Sequence, residues 1–113
     1  MDKQKKTTIC LVMIVRNESE VIKRCIDSVK DYIDYWVICD TGSNDGTQDI
    51  IKETMAEYEI PGELHETKWE DFGSNRTESL ELSKGKCDYR LVIDADDFLA
   101  VDGDANPFED LTD

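Results

Sequence analysis

The chain has 113 residues and a formal net charge of −14, from 27 Asp and Glu against 13 Lys and Arg. That length holds one domain with one core and buries roughly two-thirds of the unfolded surface, and an apolar share of 39 % is enough to build it. The acidic balance argues against nucleic acid or an anionic membrane surface as a partner.

The longest apolar run, Ile9 to Val15, is too short to span a bilayer. Lys3, Lys5 and Lys6 precede it, but Arg16-Asn17-Glu18 follows where a signal peptide would carry small residues, so a soluble protein is expected. Cys10, Cys25, Cys39 and Cys87 form no C-x-x-C pair, and three of them lie in apolar stretches. Free thiols in a reducing, cytoplasmic compartment are the expectation.

Ile9–Val15 is rich in β-branched residues and reads as a first strand covered on both faces. Asn17 is placed to cap the next helix, with Glu20 in the capping-box position. Val21, Ile22, Cys25, Ile26 and Val29 recur at helical spacing and predict an amphipathic helix over 18–31. Tyr35–Cys39 is the second strand. The turn from Asp40 to Gly46 leads to a second helix with Ile50, Ile51 and Met55 inside, and Asn44 or Asp45 can cap it. Pro61-Gly62 stops that helix, and Glu63–Thr67 reads as a weaker third strand. Ser74 is placed to cap a third helix reaching Lys84, where Gly85 suits a left-handed stop. Tyr89–Asp94 is the fourth strand. Strands alternating with helices imply right-handed crossovers, so an α/β fold is expected, with a mainly parallel sheet of about four strands flanked by three helices. From Asp94 to Asp113 there are eight acidic residues and no Lys or Arg, which predicts an irregular acidic tail.

The sharpest chemical signal is Asp94-Ala95-Asp96-Asp97 at the end of the fourth strand. Carboxylates that close repel one another, and a divalent cation between them removes the cost. Mg²⁺ and Mn²⁺ prefer oxygen and often take one or two protein carboxylates, with phosphate and water completing the shell. A solvated acidic loop is the plainer alternative. The buried strand before the cluster and Asp40 on the same sheet edge favour a ligand site, with Ala95 letting the backbone come close. Asp40 can accept a hydrogen bond from a ribose or a base imide, and it can equally serve its own turn. Arg76 is an always-charged fork donor, although on spacing alone an ion pair with Glu70 or Asp71 explains it. His65 reads as a surface residue, and Trp69 and Phe72 as packing residues rather than a stacking platform. Asp102-Gly103-Asp104-Ala105-Asn106 fails as an EF-hand, because Pro107 stands where the loop glycine belongs.

Four segments taken together resemble the family 2 glycosyltransferases of the GT-A fold. They are Met13-Ile14-Val15-Arg16-Asn17-Glu18, Asp40-Thr41-Gly42-Ser43-Asn44-Asp45-Gly46-Thr47, Trp69-Glu70-Asp71-Phe72-Gly73-Ser74-Asn75-Arg76-Thr77 and Ile93-Asp94-Ala95-Asp96-Asp97. The resemblance implies a Rossmann-like nucleotide-sugar-binding domain over residues 1–98, with the acidic tail at 99–113. It implies a UDP-sugar donor, UDP-glucose being the expected hexose donor. By position Val15 and Arg16 would line the uracil, Glu18 and Ala95 would belong to the same nucleotide site, and Asp40 would bond the imide nitrogen. Arg76 would approach the base or phosphates. Asp94 would touch the ribose or a metal-bound water, and Asp96 would ligate Mn²⁺ or Mg²⁺ bridging the diphosphate.

Relatives continue beyond the last motif with the part that supplies the acceptor pocket and the catalytic base. The acceptor is therefore unknown, and Asp102, Asp104 and Glu109 are equally placed to act as base. The expected activity is a metal-dependent, inverting hexosyl transfer. The alternative is a non-catalytic UDP-sugar-binding module, or a remnant that hydrolyses its donor slowly. A homo-oligomer is the expected partner arrangement, since a second copy would cover the sheet. A phospho-acceptor receiver would need an acidic pair after the first strand, where this chain has Arg16-Asn17.

Overall fold

The seven residues of β1 (Ile9–Val15) feed two cores at once. Ile9, Leu11, Met13 and Val15 join the main cluster, while Cys10 and Val12 meet Val37 in a smaller one. Alternate side chains point to opposite faces of a strand, so a strand covered on both sides must be apolar throughout. The computed structural model describes residues 8–95. Their order is β1, α1 (Ile22–Val29), β2 (Tyr35–Asp40), α2 (Thr47–Glu57), β3 (Gly62–Glu66), α3 (Phe72–Leu82) and β4 (Tyr89–Val92). The strands form one sheet in the order β3-β2-β1-β4, every pair parallel, as the alternating pattern predicts. No helix among the described residues is long and apolar enough to cross a membrane.

Ile22, Cys25, Ile26 and Val29 of α1 and Ile51 and Met55 of α2 pack on the Leu11 face of the sheet. The smaller cluster on the Cys10 face includes Leu82 of α3. Parallel crossovers carry all four carboxyl ends to one edge. The register pairs Val15 with Asp40 and Asp40 with Glu66, so β1, β2 and β3 finish almost level. The last β1–β4 pair is Val12 with Val92, which leaves Ile93 and Asp94 running past the ladder. The fourth strand is thus two residues shorter than expected.

The expected caps are replaced. Asn17 takes a left-handed φ of 53° and leaves the helix path, and α1 begins at Ile22 with no side-chain cap. In place of a capping box, the Glu18 carbonyl accepts from Val21 N at 3.0 Å and Ile22 N at 2.9 Å, closing a turn before the helix. For α3 the cap is Asp71, whose carboxylate accepts from Ser74 N at 2.7 Å. Ser74 lies inside the helix, and its hydroxyl returns to Asp71 at 3.1 Å. At α2 the cap position is Gly46, with a φ of 91° and no side-chain cap, in place of Asn44 or Asp45; Asp45, one residue earlier, accepts from Thr47 N at 3.1 Å. Gly85 takes the expected left-handed φ, 78°, but α3 ends earlier than Lys84, at Leu82 with Ser83 as its C-cap.

Gly62 is fixed by a close approach. A β-carbon there would sit 2.2 Å from the Trp36 indole. Trp36 in turn donates its Nε1–H to the Ile60 carbonyl at 2.9 Å, so the indole is pinned between β2 and the entry to β3.

Candidate functional site

The loops at the carboxyl edge are tied together before any ligand arrives. Asn17 N donates to Ser43 Oγ at 2.8 Å, and Asn44 N donates to Asn17 Oδ1 at 2.8 Å. Glu18 N reaches Thr47 Oγ1 at 2.9 Å, and Ser19 N reaches Asp45 Oδ2 at 3.1 Å. The turn after β1 is therefore set by the turn after β2.

A cleft of about 320 Å³ opens beside these turns. The end of β1 supplies Ile14 and Val15, the turn beyond supplies Arg16 and Glu18, and Thr41 follows β2. Trp69, Phe72 and Arg76 come from the entry and first turns of α3, and Asp94 follows β4. Five residues expected to bind nucleotide, Val15, Arg16, Glu18, Arg76 and Asp94, thus share one cavity although up to 79 positions separate them (94 less 15).

Asp40 lies at an adjoining groove of about 370 Å³ with Gly42, Ser43, Gln48, Glu66, Thr67 and Lys68. Its Oδ1 accepts from Gly42 N at 2.8 Å and from Ser43 N at 2.7 Å. Its Oδ2 is buried and has no partner. Burial pushes the Asp40 carboxyl up, but hydrogen bonds led by those of Ser43 outweigh this and hold it below the ordinary carboxylate value. The residue is a buried anion whose Oδ1 serves its own turn while Oδ2 is enclosed without a hydrogen-bond partner. The hydroxyl of Thr67, lining the same groove, is also buried without a partner.

Arg76 stacks over the Phe72 ring, 5.1 Å from its centroid, and its Nη1 is buried and unpartnered. The ion pair with Glu70 or Asp71 that spacing suggests does not form; Asp71 is occupied as the helix cap. Unsatisfied buried polar groups are rare in folded proteins, and each calls for a ligand or water. Ala95 does not line the cleft: its side chain is 2 % exposed within the main core. Next to it, the Cys25 thiol lies 3.6 Å from the Asp94 carbonyl, tying this segment to α1.

Asp96, the expected metal ligand, lies outside the described residues, as do Asp97, Asp102, Asp104, Glu109 and the tail at 99–113. Among the described residues no group of three His, Cys, Asp or Glu side chains gathers to hold a metal. The exposed carboxylate of Asp94, on a cleft that also holds two guanidinium groups, suits the single protein carboxylate of an oxygen-preferring cation completed by phosphate and water.

Other expectations are met away from the site. Cys10, Cys25 and Cys39 are buried, and all four cysteines are free. Burial pushes the Cys10 thiol up to about 12 and Cys39 to about 11, so neither is a ready nucleophile. His65 lies off the cleft, its Nε2 2.8 Å from Glu63.

Three residues were missed. Trp69 and Phe72, expected to pack, are 47 % and 60 % exposed on the cleft. Asn75, 3 % exposed, accepts from Glu70 N and donates to the Lys68 carbonyl, both at 2.9 Å, and so brackets Trp69. A signal was present. The apolar residues of α3 (Phe72, Leu80, Leu82) do not recur at helical spacing, and the buried side chains of that helix are Asn75 and Ser79.

Comparison with known proteins places this geometry. The model of the family described as "Glycosyl transferase family 2" matches residues 10–105. A TPR repeat-containing protein of Synechococcus elongatus is 40 % identical over 95 residues, covering 83 % of this chain and 22 % of that protein. The prophage-derived glycosyltransferase SunS of Bacillus subtilis is 38 % identical over 96 residues, 84 % of this chain and 21 % of SunS. The chain thus spans about a fifth of the length of these relatives. In structure it is similar to the mannosyltransferase PcManGT from Pyrobaculum calidifontis, solved in complex with GDP-Man and Mn²⁺. The TM-score is 0.69 at 20 % identity, over 86 % of this chain and 30 % of that one. That likeness establishes a shared GT-A architecture, and the match over residues 10–105 settles the lineage: the chain belongs to glycosyl transferase family 2.

Proposed function

We propose that this chain carries the donor site of a metal-dependent glycosyltransferase that uses a UDP-hexose such as UDP-glucose and inverts the anomeric centre. The supporting observation is the convergence of Val15, Arg16, Glu18, Arg76 and Asp94 on one cleft, with a buried guanidinium nitrogen of Arg76 left unpartnered. A nucleotide diphosphate is strongly anionic, and a chain of net charge −14 repels it unless local cations intervene. Arg76 presents a fork matched to phosphate oxygens, its guanidinium set over the Phe72 ring, and Arg16 adds a second positive charge. Asp94, together with Asp96, would hold Mn²⁺ or Mg²⁺, which when bound supplies positive charge to the departing diphosphate.

The state of Asp40 supports uridine over guanosine. One oxygen is consumed by two backbone N–H groups, leaving a single buried acceptor. Uracil offers one imide N–H, whereas guanine presents two adjacent donors that want both oxygens of a carboxylate. The Pyrobaculum neighbour holds GDP-Man, so base choice is where this chain departs from it. The free thiols support a reducing, cytoplasmic compartment. An acceptor pocket, from a second copy or from elsewhere in the protein, would complete the reaction.

The test is UDP release from UDP-glucose with Mn²⁺ over a panel of sugar, peptide and polyol acceptors. Acceptor-dependent release above background is expected. Slow release indifferent to every acceptor would favour the binding-module reading.

A further inference from the structure

Two large aromatic side chains stand open on the cleft, Trp69 at 47 % and Phe72 at 60 % exposure. Aromatic area of that size left in water at the rim of a cavity marks a contact surface. It is also held in place. Asn75 fixes the backbone on both sides of Trp69 through Glu70 N and the Lys68 carbonyl. The Asp71 cap fixes the start of the helix at Phe72. A backbone fixed before binding limits the conformations open to the two aromatics, and an aromatic side chain itself has only two χ angles to lose.

The chemistry around them narrows the occupant. The other apolar residues of the cleft, Ile14 and Val15, are aliphatic, so the flat surfaces all come from the α3 side. Arg76, stacked on Phe72, and Arg16 provide the charge for phosphates. Along the chain Trp69 follows Lys68, and Thr41 follows Asp40; one member of each pair lines the cleft and the other lines the Asp40 groove. A planar group resting on Trp69 therefore lies beside the groove lined by Asp40.

Resting on the donor reading above, we propose that Trp69 and Phe72 form the stacking wall for the nucleobase of the donor, held in position by Asn75. A base stacks on an aromatic face whatever its identity, so the wall contributes affinity and Asp40 contributes selection.

The test is calorimetric titration of UDP, UDP-glucose and GDP, with Mn²⁺ present, into the wild-type chain and the Trp69→Ala, Trp69→Phe and Phe72→Ala variants. Fluorescence is read in parallel, using the difference between wild type and Trp69→Phe to isolate the Trp69 emission. Trp69→Ala should weaken UDP binding by about tenfold or more, and Trp69→Phe by about threefold or less, given typical base–aromatic stacking. UDP should quench the Trp69 emission. Wild-type UDP binding with Trp69→Ala and Phe72→Ala within about twofold of it, and no change in emission, overturns the wall and leaves the donor site standing. A Trp69 effect seen with UDP-glucose but not with UDP assigns the aromatics to the hexose and also overturns it. Trp69-dependent binding of GDP without binding of UDP keeps the wall and overturns the uridine reading. No binding of either nucleotide overturns both.

Discussion

Along the carboxyl edge of the sheet, the β1–β2 side laces its two turns together with four hydrogen bonds, from Asn17, Asn44, Glu18 and Ser19, whereas the α3–β4 side leaves Trp69, Phe72, Arg76 and Asp94 open to the cleft. The strands behind them differ in the same sense. β1 and β2 are buried almost throughout, while β4 alternates between half-buried and exposed residues. One side uses its polar groups to hold a shape, and the other keeps them available. Substitutions of core residues under the laced side should therefore act on stability, and substitutions of the α3–β4 cleft residues on ligand binding.

The largest effect is expected in the core under the laced side. Ile38→Ala removes a fully buried side chain and should cost about 2–5 kcal/mol. Val92→Ala, at a residue 37 % exposed on β4, should cost about 1 kcal/mol or less. Urea unfolding measures both, and equal losses would erase the distinction between the two regions.

Next comes Arg76→Ala. It should weaken UDP binding by about 1.5–3 kcal/mol, as for other hydrogen bonds to a charged group, while moving the urea midpoint very little. A large loss of stability with unchanged affinity would show that this guanidinium serves the fold.

A somewhat smaller effect is expected at Gly62. Gly62→Ala drives a methyl into the Trp36 indole and should cost about 1–3 kcal/mol. Trp36 fluorescence should report the displaced ring, and an unchanged spectrum at unchanged stability would contradict the close packing.

The smallest effect is a pH dependence. Hydrogen bonding, led by the Thr47 hydroxyl, lowers the Asp45 carboxyl from 3.8 to about 2, and hydrogen bonds led by Lys86 lower Glu63 from 4.5 to about 2. Both folded-state values lie below the unfolded ones, so the folded chain binds fewer protons. Their stabilisation is complete above the unfolded values and is lost as pH falls toward about 2. Urea unfolding from about pH 5 to about pH 2 should show the decline, and Asp45→Asn and Glu63→Gln should each flatten part of it.

Much of this was legible because apolar patterning is a local property. Ile9–Val15 reads directly as a two-sided strand, and Val29 and its partners read as a helix face. The misreadings have a common cause. Asn17 looks like a cap in local sequence, but its side chain is claimed by Asn44, 27 residues away. Ser74 looks like a cap, but Asp71 caps the helix three residues earlier and accepts from the Ser74 amide itself. Trp69 and Phe72 look like core by composition, and only the burial of Asn75 beneath them shows that they face outward. Four motifs in order were enough to gather five of the expected nucleotide-binding residues in one cleft. They could not show that Asp40 spends one carboxylate oxygen on its own turn and buries the other without a partner, because that division depends on how the turn folds.

Calorimetric titration of UDP with and without Mn²⁺ bears most directly on the donor site. If the cleft is a metal-assisted uridine nucleotide site, UDP binds with the cation and weakens by about an order of magnitude when it is withdrawn. Asp96→Ala then removes that dependence. Equal affinity with and without Mn²⁺, or no UDP binding in either condition, contradicts the assignment.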